Sequence, residues 1–198
     1  MSISQETLHA ASINLLYAGV VLLTFVIIER FVYYVHLSMR SRSIAKAIAA
    51  AVSADSARPL PQLAAASDVL TMSMQEYVSV QSKGGVSRER IEDLSSALFL
   101  RVDSKVNRGL WILDTIVTAA PLLGLLGTIL GIMDTFHALS AGGISDPGAV
   151  SRGIGSALFA TAIGIGTALY GLIGHNVLHR LGERLTDDFK SFLLETTV

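Results

Sequence analysis

Three stretches of this chain carry no Asp, Glu, Lys or Arg for the length of a bilayer crossing: Thr7 to Ile28, Thr115 to Met133 and Gly153 to Ile173. A crossing helix needs about 20 predominantly apolar residues. The first run is rich in Leu, Val and Ile. Glu29-Arg30 and then Phe31-Val32-Tyr33-Tyr34-Val35 follow it, and the two tyrosines are expected in an interfacial aromatic belt. Asp114 and Asp134 bracket the second run. The third is rich in Gly, Ala and Thr and ends at Gly174-His175-Asn176. This pattern predicts an all-α membrane protein with three transmembrane helices, the second and third extended into the cytoplasm, and a short helical cytoplasmic insert.

The polar stretches supply the remaining elements. Alanine-rich sequence at 41–54 favours helix and continues the first span until the Arg58-Pro59-Leu60-Pro61 turn. A second helix is expected over 62–82, with Lys83-Gly84-Gly85 as a break. Ser87 reads as an N-cap, with Glu89, Glu92 and Asp93 near the positive end of the helix dipole. Ile91, Leu94, Leu98, Val102 and Val106 recur at helical spacing. One helix is therefore expected from Ser87 to about Leu139, bent slightly where Pro121 removes a hydrogen bond. A turn at Ala141–Gly148 leads to a third helix from about Val150 past Arg184. In its tail Leu178, Leu181, Leu185, Phe189 and Phe192 share one side. The expected segments are an external N-terminus at 1–12, spans at 13–37, 111–139 and 150–176, a cytoplasmic insert at 38–110, an external turn at 140–149 and an amphipathic tail at 177–198.

Composition agrees with lipid as the main solvent. The chain is 51% hydrophobic with a mean hydropathy of +0.55, and only 16% of its residues are charged. A net charge of −1 provides no basic field for nucleic acid, and the absence of cysteine rules out disulfides and thiolate metal sites. The N-terminus has neither a basic region nor a small-residue cleavage site ahead of the apolar run, so that run reads as a retained span. Of fifteen Lys and Arg, ten lie between Arg40 and Arg108 and three more at Arg180, Arg184 and Lys190. The positive-inside rule then places the N-terminus outside and the C-terminus in the cytoplasm.

No nucleophile motif, P-loop or dinucleotide fingerprint is present, so neither an enzyme nor a cofactor is expected. Gly153-x-Gly155 and Gly164-x-Gly166 lack the third glycine and the preceding strand of a nucleotide site. His175, His179 and Glu183 share a helical face, but three donors on one helix are a weak metal signal, and an interfacial polar face explains them better. Asp134 with Arg152, and Glu29 with Arg30, are candidate interfacial pairs.

What remains is a set of hydroxyls at membrane depth: Thr118, Thr128 and Thr135 on the second helix, and Ser156, Thr161 and Thr167 on the third. A lone transmembrane threonine usually bonds its own i−4 carbonyl. Here, however, Thr128 and Thr135 share a side with Gly124 and Gly131, and Ala157, Thr161, Gly164 and Ala168 form a matching stripe. Small residues let helices approach closely. Pro121, Gly124, Gly127, Gly131, Ala157 and Gly164 are thus expected to pack around another helix. Neither stripe holds an acid or base at mid-span, so any proton carrier must come from a partner.

These residues resemble the MotA/TolQ/ExbB family of inner-membrane motor proteins. APLLGLLGTILGIMDTF, running from Ala120 to Phe136, looks like the family's second-helix signature, and DPGAVSRGIGSALFATAIGIG (146–166) is similar to its third-helix signature. Three spans place the likeness nearest the ExbB/TolQ branch. The resemblance implies a homopentamer in the bacterial inner membrane, surrounding single-span helices of an ExbD/TolR-like partner that brings a proton-carrying aspartate. Thr128 and Thr161 match the threonines beside that aspartate. It also implies a TonB- or TolA-like receiver of the work, with lipid as the surrounding solvent. Two positions depart from the pattern: Ser156 stands where a glutamate is typical and Tyr170 where a proline is. A non-conducting oligomeric scaffold is the alternative that Ser156 keeps open.

Overall fold

In a computed structural model the described residues are 5–53, 68–81, 85, 87–142 and 147–195, and all their regular structure is helical. Five helices follow in order: α1 (Gln5–Ser53), α2 (Val69–Gln81), α3 (Arg88–Val106), α4 (Leu110–Gly142) and α5 (Pro147–Glu195). Among the described residues, three segments are long and apolar enough to cross a membrane: Ala10–Ser41, Leu110–Ser140 and Pro147–Leu194. The contacts divide the chain into two compact units. One comprises Met1–Ile28 and Gly109–Val177, the other Glu29–Arg108 and Leu178–Val198. The Arg58–Pro61 turn, Lys83-Gly84 and residues 143–146 of the external turn lie outside the described residues.

In the first unit, the early part of α1 packs with α4 and the first half of α5 through small residues. Gly171 sits where a Cβ would meet Leu23 and Val117, and at Gly174 it would meet Ile27. The buried positions here include Leu16, Leu23, Ala120, Ala157 and Ala160. The outward positions are large and apolar, among them Leu122, Ile129, Leu158, Phe159 and Leu169. Such a surface is unfavourable in water and neutral in hydrocarbon, which accounts for the inside-out distribution of side-chain size. Pro121 lies within α4 without ending it; neighbouring helices make a proline tolerable in a membrane segment. The α5 helix starts at Pro147 and not at Val150, because proline suits a first turn whose N–H groups have no intrahelical acceptor.

The second unit has a core of large side chains: Tyr34, Tyr77, Leu98, Val102, Val106, Leu178, Leu185 and Phe189 are all buried. Asp68 caps α2, its Oδ1 accepting the Thr71 N–H at 2.9 Å. Ser87 caps α3 as its sequence predicts, accepting the Arg90 N–H at 3.4 Å. The tail stripe of α5 joins the same core. Phe192 meets the Tyr77 ring edge-on, and the Tyr77 hydroxyl donates to the Leu193 carbonyl at 3.3 Å.

Two expectations are corrected. The helix expected to run unbroken from Ser87 to Leu139 is two helices. α3 ends at Val106, the Asn107 N–H donates to the Asp103 carbonyl at 2.9 Å, and Gly109 takes φ +91° before α4 begins. That dihedral is accessible to glycine and costly for other residues. Tyr34 is not an interfacial belt residue. It is 1% exposed, and its hydroxyl donates to the Val106 carbonyl at 2.8 Å. Gly182 makes room for this arrangement: a Cβ there would lie 3.3 Å from Val106 Cγ1 and 3.4 Å from the Tyr34 hydroxyl.

Candidate functional site

The site grows from the contact between α4 and α5. Gly124 faces Ala160, Thr161 and Gly164, while Gly164 faces Ala120 and Gly124. Residue numbers rise on one helix as they fall on the other, so the pair is antiparallel. A Cβ built on Gly164 would lie 2.6 Å from the Ala120 carbonyl oxygen, and one on Gly124 would lie 2.9 Å from the Ala160 carbonyl oxygen. Both obstacles are backbone, which side-chain rotation cannot relieve. The two glycines therefore set how closely the helices approach.

That approach brings two hydroxyls together. Thr128 Oγ1 and Thr161 Oγ1 are in direct hydrogen-bond contact. Each also reaches the Gly124 carbonyl at 3.1 Å, and Thr128 Oγ1 reaches the Ala157 carbonyl across the helices at 3.1 Å. A hydroxyl has one proton to donate and two lone pairs to accept with. One threonine must then donate to the other, and the acceptor passes its own proton to a carbonyl. The chain can run from Thr128 through Thr161 to Gly124, or in reverse to Gly124 or Ala157. Both residues are half-buried, so the pair has an open side with accepting capacity left.

The other hydroxyls behave differently. Thr115 donates to the Trp111 carbonyl, Thr118 to that of Asp114, Thr135 to that of Gly131 and Thr167 to that of Ile163, each within its own helix. Among the described residues, Thr128 and Thr161 are the membrane-depth threonines on α4 and α5 that bond across helices. Ser156 is exposed and lies about 140° around α5 from Thr161 at 3.6 residues per turn, so it does not join the pair.

Gly124, Gly127, Gly131, Ala157 and Gly164 are buried within the chain, and Pro121 is half-buried. The helix against Gly124, Ala157 and Gly164 is a neighbour in the same protomer; Gly127 faces Ala160 and also Ser12 of α1. Glu29 and Arg30 form an ion pair at 3.1 Å. Asp134 is half-buried and Arg152 exposed, and among the described residues they do not form an ion pair with each other. His179 Nε2 lies 3.4 Å from Glu183 Oε1, and no three His, Cys, Asp or Glu side chains gather as a metal site among the described residues. Sequence reasoning missed Ala160, whose carbonyl abuts Gly124. Its place three residues from both Ala157 and Ile163, one turn before Gly164, was the available signal.

Residues 62–191 match the model of the MotA/TolQ/ExbB proton channel family. The chain belongs to that family. The match covers all of α4 and α5 up to residue 191, and so both threonines of the pair. Among curated relatives, the biopolymer transport protein ExbB of Aquifex aeolicus is 32% identical over 119 residues, 60% of this chain and 75% of that protein. The Tol-Pal system protein TolQ of Haemophilus influenzae is 30% identical over 122 residues, 62% of this chain and 53% of that protein. A putative ExbB homolog of Methanothermobacter thermautotrophicus is 41% identical over 83 residues, 42% of this chain. The chain spans 29% of that last protein's length. As a member of a proton channel family with three helices fit to cross a bilayer, the chain is a membrane protein of ExbB/TolQ kind.

Proposed function

We propose that this MotA/TolQ/ExbB family member is the channel-forming subunit of an ion-driven inner-membrane motor. Five copies surround single-span helices of an ExbD/TolR-like partner, with the N-terminus outside and the C-terminus in the cytoplasm. Proton flow through the assembly is coupled to transport or envelope work, through a TonB- or TolA-like receiver. The observation that carries this reading is the Thr128–Thr161 pair, two coupled hydroxyls with unused lone pairs on an uncharged helix contact. A protonated carboxyl arriving on a partner helix would donate to one of them, and the reversible donor chain would accommodate either protonation state of that acid. The segments around the pair contain no titratable group of their own at mid-span, which fits an acid supplied in trans. Pro121 and the α4 glycines then shape the wall that holds the pair in place.

The test is proton flux in vesicles containing the full chain co-expressed with its single-span partner. Flux should appear only with the partner and vanish when the partner's transmembrane aspartate becomes asparagine. Native mass measurement of the same complex should give five copies of this chain. Ser156 favours a second reading, a non-conducting scaffold, because it leaves α5 without an acid. An intact pentamer with its partner but no aspartate-dependent flux would select the scaffold.

A further inference from the structure

The second unit contains a groove of about 180 Å³ between the end of the first span and the tail of α5. Its walls are the Tyr34 ring, Met39 and Leu181, and its polar groups are Ser38, Arg184 and Asp188. Arg184 and Asp188 are four residues apart on α5, neighbours on one helix face, yet they form no ion pair. A cation placed before an anion at this spacing is the weaker order against the helix dipole. The groove thus presents a separate cation and anion beside apolar walls. The Tyr34 hydroxyl donates its proton to the Val106 carbonyl, so it offers a ligand in the groove no donor.

We propose that this groove binds a phospholipid with a zwitterionic amine headgroup, of the phosphatidylethanolamine class. Arg184 takes the phosphate through charge-assisted hydrogen bonds, Ser38 adds a hydroxyl donor, and Asp188 takes the ammonium two carbons away. The charge pattern discriminates between headgroups: a glycerol headgroup brings the same phosphate to Arg184 but no ammonium, and so leaves Asp188 without a cation. The volume holds a headgroup and not a whole lipid, and the rest of the molecule has a path. Phe31, Val32, Val35 and Met39 are exposed at three- and four-residue spacing along α1, inside the candidate span Ala10–Ser41. Acyl chains lie along this strip while the headgroup sits between Arg184 and Asp188. The site is independent of ion conduction and stands whether or not the chain is a channel.

The full chain, purified in micelles with equal amounts of dioleoyl phosphatidylethanolamine and dioleoyl phosphatidylglycerol, should retain the ethanolamine lipid preferentially in native mass spectrometry. Arg184→Gln should lower that retention about tenfold, the scale of losing a charged hydrogen-bond partner. Asp188→Asn should keep lipid bound but turn the preference toward phosphatidylglycerol. Arg88→Ala, which alters a charge on α3 that pairs with Glu92, should change nothing. Asp188 and Arg184 are exposed, so these variants leave the core intact, and unchanged melting checks this. Equal retention of the two lipids by the unaltered chain, or a preference that survives both groove variants, would overturn the proposal.

Discussion

The two units of this protein solve the packing problem in opposite ways. In the first, α4 and α5 meet through Gly124, Ala157, Ala160 and Gly164, and large side chains such as Phe159 and Leu122 point outward. In the second, Tyr34, Tyr77 and Phe189 fill the interior, and charged residues such as Arg88 and Glu89 stay outside. The contrast follows from the solvent. Water rewards burial of large apolar surface, whereas lipid chains are as apolar as leucine and offer no such reward between helices. In the membrane, close backbone approach and cross-helix hydrogen bonds remain as the attractive terms. The same helix α5 does both, changing near Leu178 from a stripe of small residues to one of Leu and Phe.

Substitutions of opposite sense should therefore harm the two units, and the largest effect belongs to the second. Phe189→Ala empties a fully buried site and should cost about 3–5 kcal/mol. Hydrogen exchange should quicken in α2 and α3 while changing little around Thr128. An equal rise in both regions would break the distinction.

In the first unit, adding a single methyl is the damaging change. Gly164→Ala drives a Cβ into the Ala120 carbonyl and should cost about 1–3 kcal/mol as overpacking, seen as easier unfolding in a denaturant titration in micelles. Gly124→Ala should do slightly less, since its nearest obstacle lies farther away, at 2.9 Å against 2.6 Å. A smaller effect sharpens the second unit: Tyr34→Phe deletes the hydroxyl that satisfies the Val106 carbonyl and should cost about 1 kcal/mol by the same titration. At the bottom of the scale, Gly155 and Gly166 have open space around them. Both lie inside α5, so alanine there should raise the protomer's stability by about 0.5–1 kcal/mol, the cost of glycine in a helix interior, and any loss of oligomer in these variants reports a contact between copies.

Much of this arrangement was legible in the sequence, and the reasons are specific. Uncharged runs of membrane length gave the three spans, because lipid tolerates little else. Ser87 announced a helix start, and Leu178 through Phe192 announced a buried stripe. Thr128 and Thr161 stood out as hydroxyls on facing stripes of small residues. What the pattern could not convey was which neighbour each stripe meets. A row of glycines reads the same whether the approaching helix is in the same chain or another, and here α5 of the same protomer fills that place for Gly124. The break at Asn107–Gly109 was hidden because Gly109 is a lone glycine in a helical pattern, and only its positive φ reveals the turn. Tyr34 beside Glu29, Arg30 and Tyr33 looked interfacial; its burial depends on a carbonyl 72 residues away in sequence.

In the proposed motor, Thr128 and Thr161 act as one coupled hydroxyl unit in the ion path. The most direct measurement is a double-mutant cycle on partner-dependent proton flux, with Thr128→Val, Thr161→Val and both together, a comparison that isolates pairwise coupling. Valine preserves the shape and removes the donor chain. Each single variant should lower flux about tenfold, the kinetic equivalent of one lost hydrogen bond, and the double variant should fall no further than either single one. Unchanged flux in the single variants, or losses that multiply in the double, would show that the two hydroxyls do not act together in the ion path.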